Sequence, residues 1–257
     1  MKKFMLLAPL ALYVLVAACG GGGGGEPAAT TEKPAAAPAP AANPATAGKI
    51  AGKVTLEGAA PTQETIQMAA DPNCAKLHTT PVKTEFVVAG EGGALANSFV
   101  YLKSGVTGDY PPPSDPVVLD QQGCTYHPHV IGIQVGQPLE IVNSDETLHN
   151  IHAMPKKNKE FNIGQPVKGL KTQKKFDVEE VMVPFKCDVH KWMNSYAGVL
   201  THPFYAVSGA DGSFTIDGVP PGTYTVEVWH EKFGTKEMSV TVAEKATAEA
   251  NFSYAAQ

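Results

Sequence analysis

The segment Phe185-Lys186-Cys187-Asp188-Val189-His190-Lys191-Trp192-Met193 places a thiolate, an imidazole and a thioether at intervals of three residues. Soft sulfur, borderline nitrogen and a weak contact from a second sulfur together suit copper in a trigonal His₂Cys site with a long axial Met. That geometry needs a second histidine. The segment Asn143-Ser144-Asp145-Glu146-Thr147-Leu148-His149-Asn150-Ile151-His152 supplies one about forty residues upstream.

The elements around these residues have to deliver them to one point. Val181, Val183, Phe185 and Cys187 recur at a period of two, so a strand that buries its apolar side brings the cysteine inward at its end. Upstream, Ile131, Ile133 and Val135 share a face, Gly136-Gln137-Pro138 makes a turn, and Leu139, Ile141 and Asn143 line the next strand before His149. A lone core cysteine or a lone histidine at a strand end is ordinary. Spacing combined with the distant His-Asn pair is what points to a metal.

His-Asn-x-His followed by Cys-x-x-His-x-x-Met resembles the type 1 (blue) copper proteins of the cupredoxin family, and the short ligand loop is closest to its amicyanin and plastocyanin branch. The resemblance implies a Greek-key β-sandwich holding one type 1 copper. It also implies His149, Cys187 and His190 as equatorial ligands, Met193 as axial ligand, and Asn150 tying the two ligand loops together through hydrogen bonds. His152 is then not a ligand.

The amino terminus reads as an address. Lys2-Lys3, an apolar stretch from Phe4 to Val16, and Val16-Ala17-Ala18-Cys19 make a secretory signal ending in a sequence similar to the bacterial lipobox. Residues 1–18 are the signal peptide, and Cys19 becomes the acylated first residue; two or more acyl chains hold a protein on a membrane where one is marginal. Residues 19–47, rich in Gly, Ala and Pro, lack the large apolar side chains of a core and form a tether. The expected location is outside the cytoplasm, lipid-anchored to a bacterial membrane on the periplasmic side or at the cell surface. Gly20 in place of an Asp retention signal favours an outer membrane.

From Cys19 onward the chain carries 18 Lys and no Arg against 25 Asp plus Glu, a formal net charge of −7. Phosphate binding needs a basic surface and favours guanidinium, so nucleic acid is not an expected partner. With Cys19 assigned to lipid and Cys187 to metal, Cys74 and Cys124 are left, and two leftover cysteines in an exported protein most simply form a disulfide. A second metal site built from them with His78, His127 and His129 is the alternative.

Every strong pattern after Gly48 is strand-like: Ile50 to Leu56, Glu85 to Val88, Ser98 to Leu102, Phe214 to Ile216, Tyr224 to Trp229 and Met238 to Val242. No stretch carries a sustained amphipathic helix, so the expected class is all-β. The tail from Asp211-Gly212 through Val219-Pro220-Pro221-Gly222 to Trp229-His230 resembles the carboxypeptidase regulatory-like (transthyretin-like, or prealbumin-like) sandwich. In that family a Gly-x-Val strand and an exposed central strand come first, and Gly52-Lys53-Val54 and Asn97 to Leu102 resemble them from the far side of the copper motifs. The expected arrangement is one sandwich from 48–110 and 203–257 with a copper unit, 114–202, inserted into it. A tandem order is the alternative. The copper unit is short for a complete cupredoxin and is expected to borrow a first strand from the N-terminal part.

A closed four-ligand site leaves no position for substrate, so the expected function is single-electron transport rather than enzyme catalysis. The expected partner is a redox protein such as a c-type cytochrome or a dehydrogenase. Between Lys156 and Lys191 nine lysines face five acids. A lysine rim around an exposed His190 edge would therefore select an acidic one. Copper delivery and a β-sandwich binding module are the competing functions.

Overall fold

The structure is a computed structural model that describes residues 43–256. Cys19, the leader and most of the 19–47 tether lie outside the described residues. In chain order the first strands are β1 (Gly48–Glu57) and β2 (Phe99–Ser104), separated by one short helix, α1 (Pro72–Lys76). Next come β3 (Val117–Gln122), β4 (Thr125–His127), β5 (Val130–Gln134), β6 (Leu139–Asn143), β7 (His149–Ala153), β8 (Phe161–Gln165), β9 (Lys171–Lys174), β10 (Glu180–Lys186) and β11 (Asn194–Leu200). The last are β12 (Tyr205–Val207), β13 (Ser213–Val219), β14 (Gly222–His230), β15 (Gly234–Val242), β16 (Thr247–Glu249) and β17 (Phe252–Ala255). Among the described residues the fold is all-β apart from α1 and two single-turn segments.

The strands form four sheets. In one, β1 lies between β13 and β16, with β17 pairing the far end of β1, and a second runs β12-β2-β14-β15. Ile50, Val54 and Leu56 of β1 meet Val226 and Val228 of β14 in the core of this pair. The third sheet, β5-β11-β10-β7-β8, and the fourth, β4-β3-β6-β9, enclose a separate core containing Leu119, Ile133, Ile141, Ile151 and Phe185. Both of these sheets are complete from strands between Val117 and Leu200, so no first strand is borrowed. What the N-terminal part contributes to this core is Met68 and Cys74, from the excursion between β1 and β2.

Alternation works where pairing is regular. β6 buries Leu139, Ile141 and Asn143, and β5 buries Ile131 and Ile133. Gly136 takes φ +81° in the turn between them, a conformation that costs glycine little. In β10 the alternation breaks. The pairing with β11 shifts between Glu180 and Val183, where Met182 adopts φ +62°. Such a bulge inserts a residue and reverses the phase. Val183, Phe185 and Cys187 therefore share the core, while Val181 turns to the other side. The strand expected over Glu85 to Val88 does not form; only isolated bridges flank it.

The two pairs of sheets meet through aromatic rings. Phe99 and Tyr205 stack with centroids 5.6 Å apart and lie against Gly198 and Gly132, which are paired across β11 and β5. A Cβ at either glycine would fall inside the facing ring. Beside this contact, His129 Nε2 lies 2.5 Å from Glu231 Oε1. Gly198→Ala should overpack the junction and cost about 1–3 kcal/mol, read as a lower denaturant midpoint; an unchanged midpoint would show that the rings shift aside freely.

Candidate metal centre

Cys187 leaves the end of β10, and its loop closes on itself: Cys187 N–H donates to Met193 O at 3.2 Å and Met193 N–H to His190 O at 2.9 Å. His149 opens β7, two strands from β11 in the same sheet. The Nδ1 atoms of His149 and His190 face each other at 3.0 Å, and Cys187 Sγ lies 3.9 Å from His190 Nδ1. His149, Cys187, His190 and Met193 are each no more than 2% exposed.

Each ring is held by its far nitrogen. His149 Nε2 donates to Asp145 Oδ2 at 2.9 Å, and His190 Nε2 to Asp71 Oδ2 at 2.9 Å. A carboxylate that accepts from Nε2–H fixes the tautomer and leaves the Nδ1 lone pair pointing inward. Two lone pairs and a thiol thus converge out of water, an arrangement that needs a proton or a cation between them. Two imidazole nitrogens bound to one first-row ion at roughly 2 Å each come this close. The donor set of two nitrogens and one thiolate, with a buried Met on the same loop, fits copper.

Asn150 links the loops. Its Oδ1 accepts from Asp188 N–H at 2.7 Å and lies 3.3 Å from Cys187 Sγ, while its Nδ2 donates to Asn162 Oδ1 at 2.7 Å. His152 points elsewhere, to Asp188 Oδ2 at 3.1 Å and Glu160 Oε1 at 2.6 Å. Lys186, one of the proposed rim lysines, pairs with Asp188 at 3.1 Å.

Cys74 and Cys124 form a disulfide. The alternative metal site is thereby overturned. His78 donates to Gly123 O, His127 pairs with Thr125 Oγ1, and His129 with Glu231, so the three histidines are engaged separately. Cys124 follows Gly123 in the β3–β4 hairpin, both at positive φ as a two-residue type I′ turn requires. Their amides point at Asp145: Gly123 N–H donates to Oδ1 at 2.8 Å and Cys124 N–H to Oδ2 at 2.7 Å.

The exposed His190 edge expected from the sequence is not present. Asp71 caps α1, accepting from Asn73 N–H through one oxygen while the other takes His190. Cys74 Sγ lies 3.4 Å from His190 Nε2. The helix turn and the disulfide together cover the imidazole. Asp71-Pro72-Asn73 carries the signature of a capped helix start with Pro at its first position, but nothing in it points to a histidine 119 residues away. Asp145 carried no sequence signal beyond its nearness to His149.

Burial alone would push the Cys187 thiol up. Hydrogen bonds from His149, His190 and the backbone of His190 and Asn150 outweigh it and bring the thiol from 9.0 to about 6. His149 and His190 are held above their ordinary value: burial opposes this, and Asp145 with Cys187, and Cys187 with Asp71, overcome it. Hydrogen bonding to His190 chiefly lowers Asp71.

Residues 198–255 match the family model of the carboxypeptidase regulatory-like domain. No curated protein sequence matches the chain. Among solved structures the chain is similar to a Cu-containing nitrite reductase from Thermus scotoductus SA-01, at 20% identity over 38% of this chain, with TM-score 0.31. The match spans a quarter, 25%, of the reductase. It is also similar to a purple cupredoxin from Nitrosopumilus maritimus (21% identity, 32% of this chain and 98% of that one, TM-score 0.28). A Cu(I) amicyanin variant matches at 17% identity over 39% of this chain and 97% of its own, TM-score 0.30.

The metal-free protein should show thiolate ultraviolet absorbance titrating near pH 6, against 9.0 for an ordinary thiol. Between these values the folded chain holds a thiolate where the unfolded chain holds a thiol. Stability from this group is therefore full above the unfolded value and lost as pH falls through about 6. Titration at the ordinary value of 9.0 would show that the surrounding donors do not act on the sulfur.

Proposed function

We propose that the protein carries single electrons through one type 1 copper held by His149, Cys187, His190 and Met193. The convergence of two Nδ1 lone pairs and a thiolate, all buried and each ring backed by a carboxylate, carries this reading. Bound copper would supply a one-electron couple between its +1 and +2 states. The residues supply the rest. Asp145 and Asp71 orient the imidazoles, Asn150 keeps the two loops in register, and burial excludes water and leaves no position for substrate. The protein on this reading is not an enzyme. A hand-over site for copper delivery would instead be open and mobile, which burial of all four donors opposes.

The tail domain carries no chemistry of its own on this reading and serves as scaffold, with the copper unit inserted into it. The leader and Cys19 would export the chain and anchor it to a bacterial membrane. Its partner would be another one-electron protein in that compartment.

Visible absorption of the copper-loaded protein tests the reading. An intense thiolate band is expected. Cys187→Ser should eliminate it and His152→Ala should leave it, whereas a weak band, or loss of colour in the His152 variant, would overturn the assignment. Because Asp145 places negative charge beside the site, it favours the more positive oxidised state. Asp145→Asn should raise the reduction potential by roughly 40 mV, the one-electron equivalent of about 1 kcal/mol between charged and neutral hydrogen-bond acceptors. Voltammetry showing no rise would overturn this role of the Asp145 charge.

A further inference from the structure

None of the four candidate ligands reaches solvent, and the outer edge of His190 is closed by Asp71, α1 and the disulfide. A carrier built this way needs another route to its surface. Trp192 offers one. Its indole lies 5.1 Å from the His190 ring, centroid to centroid, at 44°, and is partly exposed. Its Nε1–H donates to Cys124 O at 2.9 Å, which fixes the ring. Trp192 also borders a cleft of about 240 Å³, walled in addition by Ile66, Val82, Tyr126, His127 and Met193.

We infer that Trp192 is the contact through which electrons pass between the buried site and an outside one-electron redox protein. The inference rests on the electron-carrier reading. Electronic coupling falls steeply with the gap between donor and acceptor. A partner seated in the cleft meets a rigid aromatic ring already against His190. A partner over Asp71 is held off by a carboxylate, a helix turn and the disulfide. No bond forms or breaks: the single electron lost at the site is the one gained by the oxidised partner, and the indole keeps its electrons paired. The cleft wall carries Lys83 and Glu85, one charge of each sign, so apolar fit rather than charge guides contact there. Trp229, the only other tryptophan, packs on Tyr196 with centroids 5.0 Å apart and serves as an internal control.

The test uses the copper-loaded chain and its Trp192→Leu, Trp192→Phe and Trp229→Leu variants. Visible spectrum, reduction potential, electron self-exchange by NMR and oxidation by hexacyanoferrate(III) are measured for each. Trp192→Leu should keep spectrum and potential but slow both rates on the order of tenfold, equivalent to ~1.4 kcal/mol in the barrier. Trp192→Phe should restore part of the rate, and Trp229→Leu should change nothing. In the Trp229→Leu protein, the emission of Trp192 should be strongly quenched when Cu(II) binds, a readout that does not depend on how Trp192→Leu folds. Unchanged rates in Trp192→Leu or unquenched emission would each overturn the port while leaving the carrier intact. Absence of the intense band in the unaltered protein would overturn the carrier reading, and the port with it.

Discussion

Two imidazoles turned with their Nδ1 lone pairs toward one another, beside a thiolate and away from water, form the arrangement that the surrounding contacts serve. Left to themselves, such groups would rotate apart or draw in water. Asp145 and Asp71 prevent rotation by accepting from the opposite nitrogens. Their own positions are fixed in turn, Asp145 by the amides of the Gly123-Cys124 turn and Asp71 by the first turn of α1. The site is therefore held by parts of the chain that contribute no donor to it.

The disulfide ties these supports together. Cys124 lies in the turn that holds Asp145, and Cys74 in the helix that carries Asp71. One covalent link thus couples the fixed tautomer of His149 to the cover over His190. Closing a loop with sequence separation 50 constrains the unfolded chain by about 4 kcal/mol in the loop-entropy picture. Its position gives it a second consequence, because the same sulfur packs 3.4 Å from the imidazole that a solvent-facing site would leave open.

The junction between the two pairs of sheets follows another logic. Gly132 and Gly198, opposite each other on β5 and β11, leave a flat patch that admits the rings of Phe99 and Tyr205. The bulge at Met182 turns Val181 and Met182 toward this junction while Val183 stays in the core that holds Cys187. One strand thereby packs against two cores, and the shift of phase that defeats simple alternation is what allows it.

Much of the fold was legible because its signals are local. Period-two runs mark β1, β5, β6, β14 and β15, an unbroken apolar run marks β2, and Gly-Pro punctuation marks turns. The Cys-x-x-His-x-x-Met spacing puts three candidate donors on one loop whatever the rest of the chain does. Glu85 to Val88 shows where local signals fail, since its composition suits a strand but no neighbouring edge pairs with it. By itself, then, the sequence determined the all-β class, the candidate donors His149, Cys187, His190 and Met193, and two cysteines left to pair. Only the tertiary structure decided that Asp71 and Asp145 back the two rings, that His190 is covered, and that Trp192 borders the cleft instead. These contacts join residues up to 119 positions apart. Their partners are set by which strands share a sheet and which loops fall at the same end of it, and no spacing along the chain encodes that.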